Sequence, residues 1–283
     1  MRRWLITFGA AIFLGILQGL TEFIPVSSSG HLVILEKLLG QKHPDLFFDT
    51  MLHAGTLIAV IAVFRSDLVN LTQSFFALIR QIVSKNPLKK SINFDPQQKL
   101  IGLILISTIP TAIIGFFFQD WFERLFSSLL AVGISLLITG TLLGLTRRFT
   151  LPSRDIQDMS ILHALIIGIA QGIAITPGIS RSGATIATAL FLGINRELAG
   201  RFSFLIFIPA ILGALILNFH FPELGTKSYL YFVLAGTLAA SMTGYLALKA
   251  LLRFVNQGKL YIFAPYLYAI GLFAIVYGII SGR

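Results

Sequence analysis

The sequence predicts an all-α, polytopic membrane protein: six full spans plus two re-entrant helical hairpins, arranged as an inverted repeat. Three observations carry this. Of 283 residues, 55% are hydrophobic and only 12% are charged, with a mean hydropathy of +0.84; a water-soluble domain carries about 25% charged residues. Six apolar stretches reach the roughly 20 residues that a spanning helix needs. Four shorter ones fall into two pairs, each broken by Gly, Pro and Ser, and the two pairs resemble one another.

The six long stretches cover residues 46–65, 99–118, 127–146, 202–220, 229–252 and 261–280. The short ones lie at 4–22 and 27–39, and at 160–176 and 183–194. The first pair is interrupted at Pro25 and Ser27 to Gly30, the second at Pro177-Gly178 and Ser180 to Gly183. Hydrophobic segments too short to span and broken by such residues read as hairpins that enter the bilayer and return. Non-helical backbone at that depth is tolerated only where protein or a cavity surrounds it. Residues 68–83 have an amphipathic pattern and are expected to lie along the membrane interface.

A shift of 153 residues carries Gln18 onto Gln171, Gly19 onto Gly172, Ser27 onto Ser180, Ser29 onto Ser182 and Gly30 onto Gly183. Each broken pair precedes three spans. The first repeat is therefore read as 1–150 and the second as 151–283, within one integral membrane domain. Three spans is an odd number, so the second half enters from the opposite face. Of the 22 Lys and Arg residues, fourteen flank one face and seven the other, with Arg181 inside. The positive-inside rule puts the richer face, with the 65–98 loop, in the cytoplasm and both termini outside.

Other classes are excluded early. The absence of cysteine removes thiolate chemistry and disulfides. The net charge of +10 is accounted for by cytoplasmic loops, and no nucleic-acid motif appears, so nucleic acid is not an expected partner. The opening Met1-Arg2-Arg3 resembles a signal peptide, but no small-x-small site precedes Gln18 and Glu22, so no cleavage is expected.

The candidate chemistry lies in the two hairpins. Gln18 and Glu22 are four residues apart, so a helix sets them on one face. Pro25 ends that helix, and Ser27, Ser28 and Ser29 are suited to start the next, with Gly30 and His31 in its first turn. A carboxylate inside a membrane segment costs about 2.5–3.5 kcal/mol on insertion scales; Glu22 therefore needs a partner or a function. The second hairpin supplies Arg181, flanked by Gly178, Ser180, Ser182, Gly183 and Thr185. A helix start rich in small residues offers free N–H groups to an anion, and arginine adds a planar fork suited to phosphate. Arg181 also reads as a salt-bridge partner for Glu22. Together the hairpins suit a multiply charged phosphate group on a long hydrocarbon. His53, within an apolar span, reads as a packed histidine rather than a catalyst; His163 and His220 lie near span ends, and Asp49 at a membrane edge.

Two motifs carry a resemblance to a known family. One runs from Gln18 through Glu22 into Pro25-Val26-Ser27-Ser28-Ser29-Gly30-His31. The other runs from Pro177 to Thr185 as Pro-Gly-Ile-Ser-Arg-Ser-Gly-Ala-Thr. The chain closely resembles the undecaprenyl-diphosphate phosphatase family, the bacitracin-resistance type of integral-membrane phosphatase. The resemblance covers nearly the whole chain. It implies a multi-pass bacterial inner-membrane enzyme that hydrolyses undecaprenyl pyrophosphate, recycling the carrier lipid for peptidoglycan synthesis. It assigns catalysis to Glu22, Ser28, His31 and Arg181, and substrate binding to Gln18, Ser27, Ser29, Gly30, Gly178, Ser180, Ser182, Gly183 and Thr185. It also implies a divalent cation, Mg2+ or Ca2+, held mainly by the substrate's phosphates with help from Glu22. The first motif position is glutamate in some members and Gln18 here, so a two-carboxylate metal site is not expected. A homodimer is admitted as a partner state. Ser28, His31 and water all remain open as nucleophile. The rival reading is a transporter or flippase of a phosphate-bearing polyprenyl lipid, because broken helices meeting at midplane also mark carriers.

Overall fold

The computed structural model describes residues 7–38, 46–83, 95–148, 153–218 and 227–281. Within them the chain is helical, with short 3-10 turns and one isolated bridge between Arg154 and Ile194. The first hairpin is α1 (Phe8–Phe23) and α2 (Ser28–Leu38). Then come α3 (Leu46–Val63), α4 (Arg65–Val83), α5 (Pro96–Phe117), α6 (Gln119–Phe126) and α7 (Leu129–Leu145). The second hairpin is α8 (Ile161–Ile173) and α9 (Arg181–Phe191), followed by α10 (Arg196–Asn218), α11 (Lys227–Asn256) and α12 (Ala264–Ser281).

Local sequence explains where these helices begin. Thr7, Ser128, Ser160 and Ser180 each accept a backbone N–H of the first turn of α1, α7, α8 and α9, satisfying donors that the helix itself cannot pair. Pro96 opens α5 at a position where its missing N–H costs nothing. Pro110 and Pro209 lie inside α5 and α10, as membrane helices allow where neighbours restore the lost bonding.

Among the described residues, five helical segments are long and apolar enough to cross a membrane: Pro96–Phe117, Leu129–Arg148, Arg196–Leu217, Tyr229–Asn256 and Leu260–Ser281. The expected span at 46–65 is α3, which passes the same test only together with α4. The two are bent by 77° at Phe64. α4 has the expected amphipathic character, with Val69, Phe75, Phe76 and Ile79 exposed and Leu71 buried; Asp67 ties it to Arg201 of α10 at 2.6 Å. The short amphipathic helix α6 had no counterpart among the expected elements. The expected span to 220 ends, within the described residues, at Asn218; His220 lies outside them.

Small residues decide which helices touch. α1 lies against α11, and a methyl group at Gly15 or Gly19 would run into Gly236, or into Thr243 and Ala240. α8 lies against α5 in the same manner, with Gly168 on the carbonyl of Ser107 and Gly172 on Ile114. α7 meets α12 through Gly133 and Gly271. Lipid supplies no hydrophobic drive between helices, so close backbone approach through small residues carries the association. α10 lies against the hairpins and is largely enclosed. Its Phe202, Phe204, Ile206 and Phe207 are enclosed, and Phe23 of α1 packs on Phe204 at 5.8 Å between ring centroids. The outer surface carries Phe116, Phe117, Ile216, Leu217 and Ile280, which suits hydrocarbon rather than water.

These contacts predict a graded mutational response. Gly15→Ala and Gly168→Ala should each lower the thermal midpoint of the detergent-solubilised protein, by the equivalent of about 1–3 kcal/mol, as overpacking does. Gly102→Ala, with nothing within 4 Å of the new methyl, should leave the midpoint unchanged. Equal midpoints for all three would refute the close approach.

Candidate active site

The site begins with the end of α1. Gln18 and Glu22 share a face, as their spacing predicts, and Gln18 Nε2 donates to Glu22 Oε2 at 3.0 Å. Helix α1 stops at Phe23, and the chain turns through Pro25 and Val26 to Ser27, which adopts φ +70°. A left-handed backbone at a non-glycine residue costs of order 1–3 kcal/mol and persists only where surroundings impose it. Here Ser27 Oγ accepts the N–H of Gly30 at 3.3 Å and that of Gly178, from the other hairpin, at 3.1 Å. Ser27 thus caps α2 and fastens the two hairpin tips together.

The second tip is built in the same way. Ser180 Oγ accepts the N–H of Gly183 at 3.1 Å and caps α9. Ser27 and Ser29 stand 3.3 Å apart by their hydroxyls, and so do Ser180 and Ser182. Ser28 and Arg181 are therefore the first residues of their helices, at matching positions. Gly178 adopts φ +92° and lies so close to Val132 and Ser135 of α7 that a side chain would not fit. Thr139 of α7 holds this turn from two sides: its hydroxyl donates to the Gly178 carbonyl at 3.0 Å and accepts the Ser180 N–H at 3.2 Å. A Cβ at Gly30 would stand 3.0 Å from the Gly178 Cα, so the helix starts of α2 and α9 converge.

Glu22 is the centre of the convergence. Its Oε2 accepts the Ser28 hydroxyl at 2.6 Å, and its Oε1 accepts Arg181 Nη2 at 3.3 Å. Arg181 also lies over the Phe207 ring, 4.6 Å from its centroid. The Glu22 side chain is only 4% exposed and that of Arg181 26%, so the arginine is the open member of the pair. His31 Nδ1 lies 2.8 Å from the Ser27 carbonyl. A carbonyl only accepts, so Nδ1 carries the hydrogen, and Nε2 accepts the Tyr266 hydroxyl at 2.7 Å. The two rings stack with an interplanar angle of 5°.

The expected site residues are thus brought together, in different capacities. Glu22, Ser28 and Arg181 form one hydrogen-bonded group with Gln18. His31 is adjacent in sequence, but both its nitrogens are engaged elsewhere, to Ser27 and Tyr266. Ser182 Oγ donates to the Phe23 carbonyl at 3.1 Å, and Thr185 Oγ1 to the Arg181 carbonyl at 2.9 Å. The protons of these two hydroxyls serve the hairpin itself. Thr139, Phe207 and Tyr266 have no counterpart among the residues expected from sequence, and His53 was expected only to pack. His53 of α3 stands with its Nδ1 3.1 Å from Gln18 Nε2 and 3.8 Å from Glu22 Oε2, so it belongs to the group around the carboxylate rather than to apolar packing. The signal available for it was an ionisable side chain within a span, which is by default a functional candidate.

A partly exposed arginine, two helix starts and a carboxylate holding a serine hydroxyl, all among apolar helices, are groups whose chemistry suits a phosphate. The fold is that of a polytopic membrane protein with an ion-paired polar site enclosed among its helices. Residues 11–273 match the family model of the bacitracin resistance protein BacA, and the chain belongs to that family. It is 44% identical to the undecaprenyl-diphosphatase of Desulforapulum autotrophicum over 270 residues, covering 95% of this chain and 98% of the relative. It is 44% identical to that of Alkaliphilus metalliredigens over 274 residues, with the same coverage. The undecaprenyl-diphosphatase of Methanosphaera stadtmanae is 41% identical over 273 residues, covering 96% of this chain and 98% of the relative.

Proposed function

We propose that this chain hydrolyses undecaprenyl pyrophosphate to undecaprenyl phosphate and inorganic phosphate, and so recycles a carrier lipid and confers bacitracin resistance. The observation that carries the mechanism is the 2.6 Å hydrogen bond from the Ser28 hydroxyl to Glu22 Oε2, with Arg181 on the other carboxylate oxygen. Phosphoryl transfer needs an oriented nucleophile, a proton acceptor and charge neutralisation; these three groups supply them in turn. Ser28 Oγ attacks the terminal phosphorus as its proton passes to Glu22. The bond to the bridging oxygen breaks, and undecaprenyl phosphate leaves with that electron pair. Water then attacks the phosphoserine, the P–Oγ bond breaks, the proton held by Glu22 returns to Ser28 Oγ, and both hydrogens of the water leave on the phosphate as H2PO4−. Arg181 and the N–H groups at the starts of α2 and α9 offset charge on the transferred group. A phosphohistidine path has less support, because the His31 nitrogens are occupied by Ser27 and Tyr266. The Ser28–Glu22 pair likewise favours hydrolysis over lipid transport, which needs no nucleophile.

A divalent cation, Mg2+ or Ca2+, belongs to the proposal. Among the described residues no cluster of three or more His, Asp or Glu side chains is placed to cage a metal. Glu22 offers one carboxylate, and Gln18 Oε1 is a buried oxygen without a hydrogen-bond partner. One carboxylate with a neutral oxygen fits a cation bound chiefly through substrate phosphates. When bound, it would neutralise phosphate charge.

The proposed topology is an inverted repeat of 1–150 and 151–283 in the inner membrane, with both termini outside. It is supported by the exchange of partners between halves, α1 on α11 and α8 on α5, and by the matching caps Ser27 and Ser180. A single cysteine at Lys89, a position outside the described residues, should resist an impermeant label in intact spheroplasts and react after permeabilisation. Labelling in intact spheroplasts would reverse the orientation.

The nucleophile is tested by substitution. Ser28→Ala should lower phosphate release by about 100-fold or more, as loss of a nucleophile or of a transition-state donor does, in a protein that still folds. His31→Ala should be milder. Retained turnover in Ser28→Ala together with none in His31→Ala would move the attack to histidine.

A further inference from the structure

His53 is the one ionisable side chain beside Glu22 to which the reaction above gives no task. Its bonding state follows from its neighbours. Gln18 Nε2 has two hydrogens; one goes to Glu22 Oε2 at 3.0 Å, and the other points to His53 Nδ1 at 3.1 Å. Turning the amide over would set its oxygen against the carboxylate, two acceptors in contact. The amide orientation is therefore fixed by Glu22, and His53 Nδ1 must accept. At 3.8 Å, Nδ1 and Glu22 Oε2 are too far apart for a hydrogen bond of their own. With Nδ1 an acceptor, the imidazole hydrogen sits on Nε2.

The opposite edge of the ring is the open one. The Nδ1 edge meets Gln18, which is 1% exposed, yet the His53 side chain as a whole is 30% exposed beside a carboxylate that is 4% exposed. Among the described residues nothing accepts the Nε2 hydrogen. An N–H donor left unpaired within a bilayer costs a substantial free energy, and so the geometry needs an acceptor at that edge. The group that enters this site is rich in acceptors.

We propose that His53 Nε2–H donates to a phosphate oxygen of the lipid pyrophosphate, making His53 a further substrate-contacting residue contributed by α3. The proposal rests on the reading of the site as a pyrophosphate site. In it, Gln18 acts as a positioning residue that relays the orientation of Glu22 to the ring. One phosphate-binding arginine on α9 and one imidazole donor on α3 then hold the diphosphate from two sides of Glu22.

Two variants separate this role from a purely structural one. Glutamine at 53 sets its amide nitrogen near the place of Nε2 and gives up the Nδ1 acceptor. Asparagine keeps a group near Nδ1, able to hold Gln18, and gives up the outer donor. The readout is the Kd of a non-hydrolysable farnesyl methylene-bisphosphonate for the full chain in detergent. His53→Asn should bind about tenfold more weakly than His53→Gln, the scale of a hydrogen bond to a charged group. A ratio of about fivefold or more in that direction supports the contact; a smaller ratio, or the reverse order, overturns it. Should the asparagine variant fail to fold, 15N-histidine labelling of the wild type decides, with the glutamine variant assigning the resonance. The His53 Nε2 signal must shift on adding the analogue, and an unmoved signal overturns the contact. Wild type that neither binds the analogue nor releases phosphate from farnesyl pyrophosphate refutes the pyrophosphate reading itself, and with it the contact. Normal wild-type turnover beside equal variants refutes the His53 contact alone.

Discussion

A carboxylate buried inside apolar helices is the constraint around which this molecule is arranged. Removing an ion from water without compensation is far more expensive than any single packing contact can offset. Glu22 is compensated from three helices. Ser28 from α2 donates to one oxygen and Arg181 from α9 to the other, while Gln18 from α1 adds a third donor. These bonds require both hairpins to end at the same place, so the break in each short helix follows from the charge at the centre. The same donors bring the serine hydroxyl and the guanidinium onto the two oxygens of one carboxylate, the juxtaposition that the proposed phosphoryl transfer uses.

The tips are held more firmly than the ion pair alone would hold them. Ser27 spends its hydroxyl on both hairpins and accepts a strained backbone to do so, and Thr139 grips the second turn by its carbonyl and its N–H. Arg181 is pressed against Phe207 of α10, a helix whose own aromatic residues pack on Phe23 at the end of α1. A site built this way pays for its organisation during folding, and the donors are in place before substrate arrives. That is the condition under which fixed dipoles and charges stabilise a transition state most.

Much of this was legible in the sequence, for local reasons. Helical spacing put Gln18 and Glu22 on one face; serine and glycine composition located the starts of α2 and α9; length and hydropathy found the spans. Each of those signals is carried by residues within one or two turns of each other. His53, Thr139, Phe207 and Tyr266 were not legible in the same way, because their roles come from helices that meet only in the folded chain. Nothing near Tyr266 indicates that its hydroxyl meets His31, 235 positions away. His53 is different: its ionisable ring in an apolar span is visible in the sequence, where burial tendency points to packing and the cost of an unpartnered polar group points to a function. The short helix α6 also escaped, since its eight residues fall between two expected spans.

Whether Glu22 and Arg181 are chemical groups or merely each other's counter-ions is the question on which the account turns. The direct measurement is phosphate release from farnesyl pyrophosphate by the double variant Glu22→Gln with Arg181→Gln, compared with wild type at matched folded concentration. Replacing both charges by amides removes the buried ion pair without leaving an unpaired charge, so the fold should survive. The double variant should fold and release no measurable phosphate, because the proton acceptor and the charge proposed to bind phosphate are both gone. Turnover restored in the double variant, beside inactive single variants, would show that the pair serves only the structure and would contradict the mechanism.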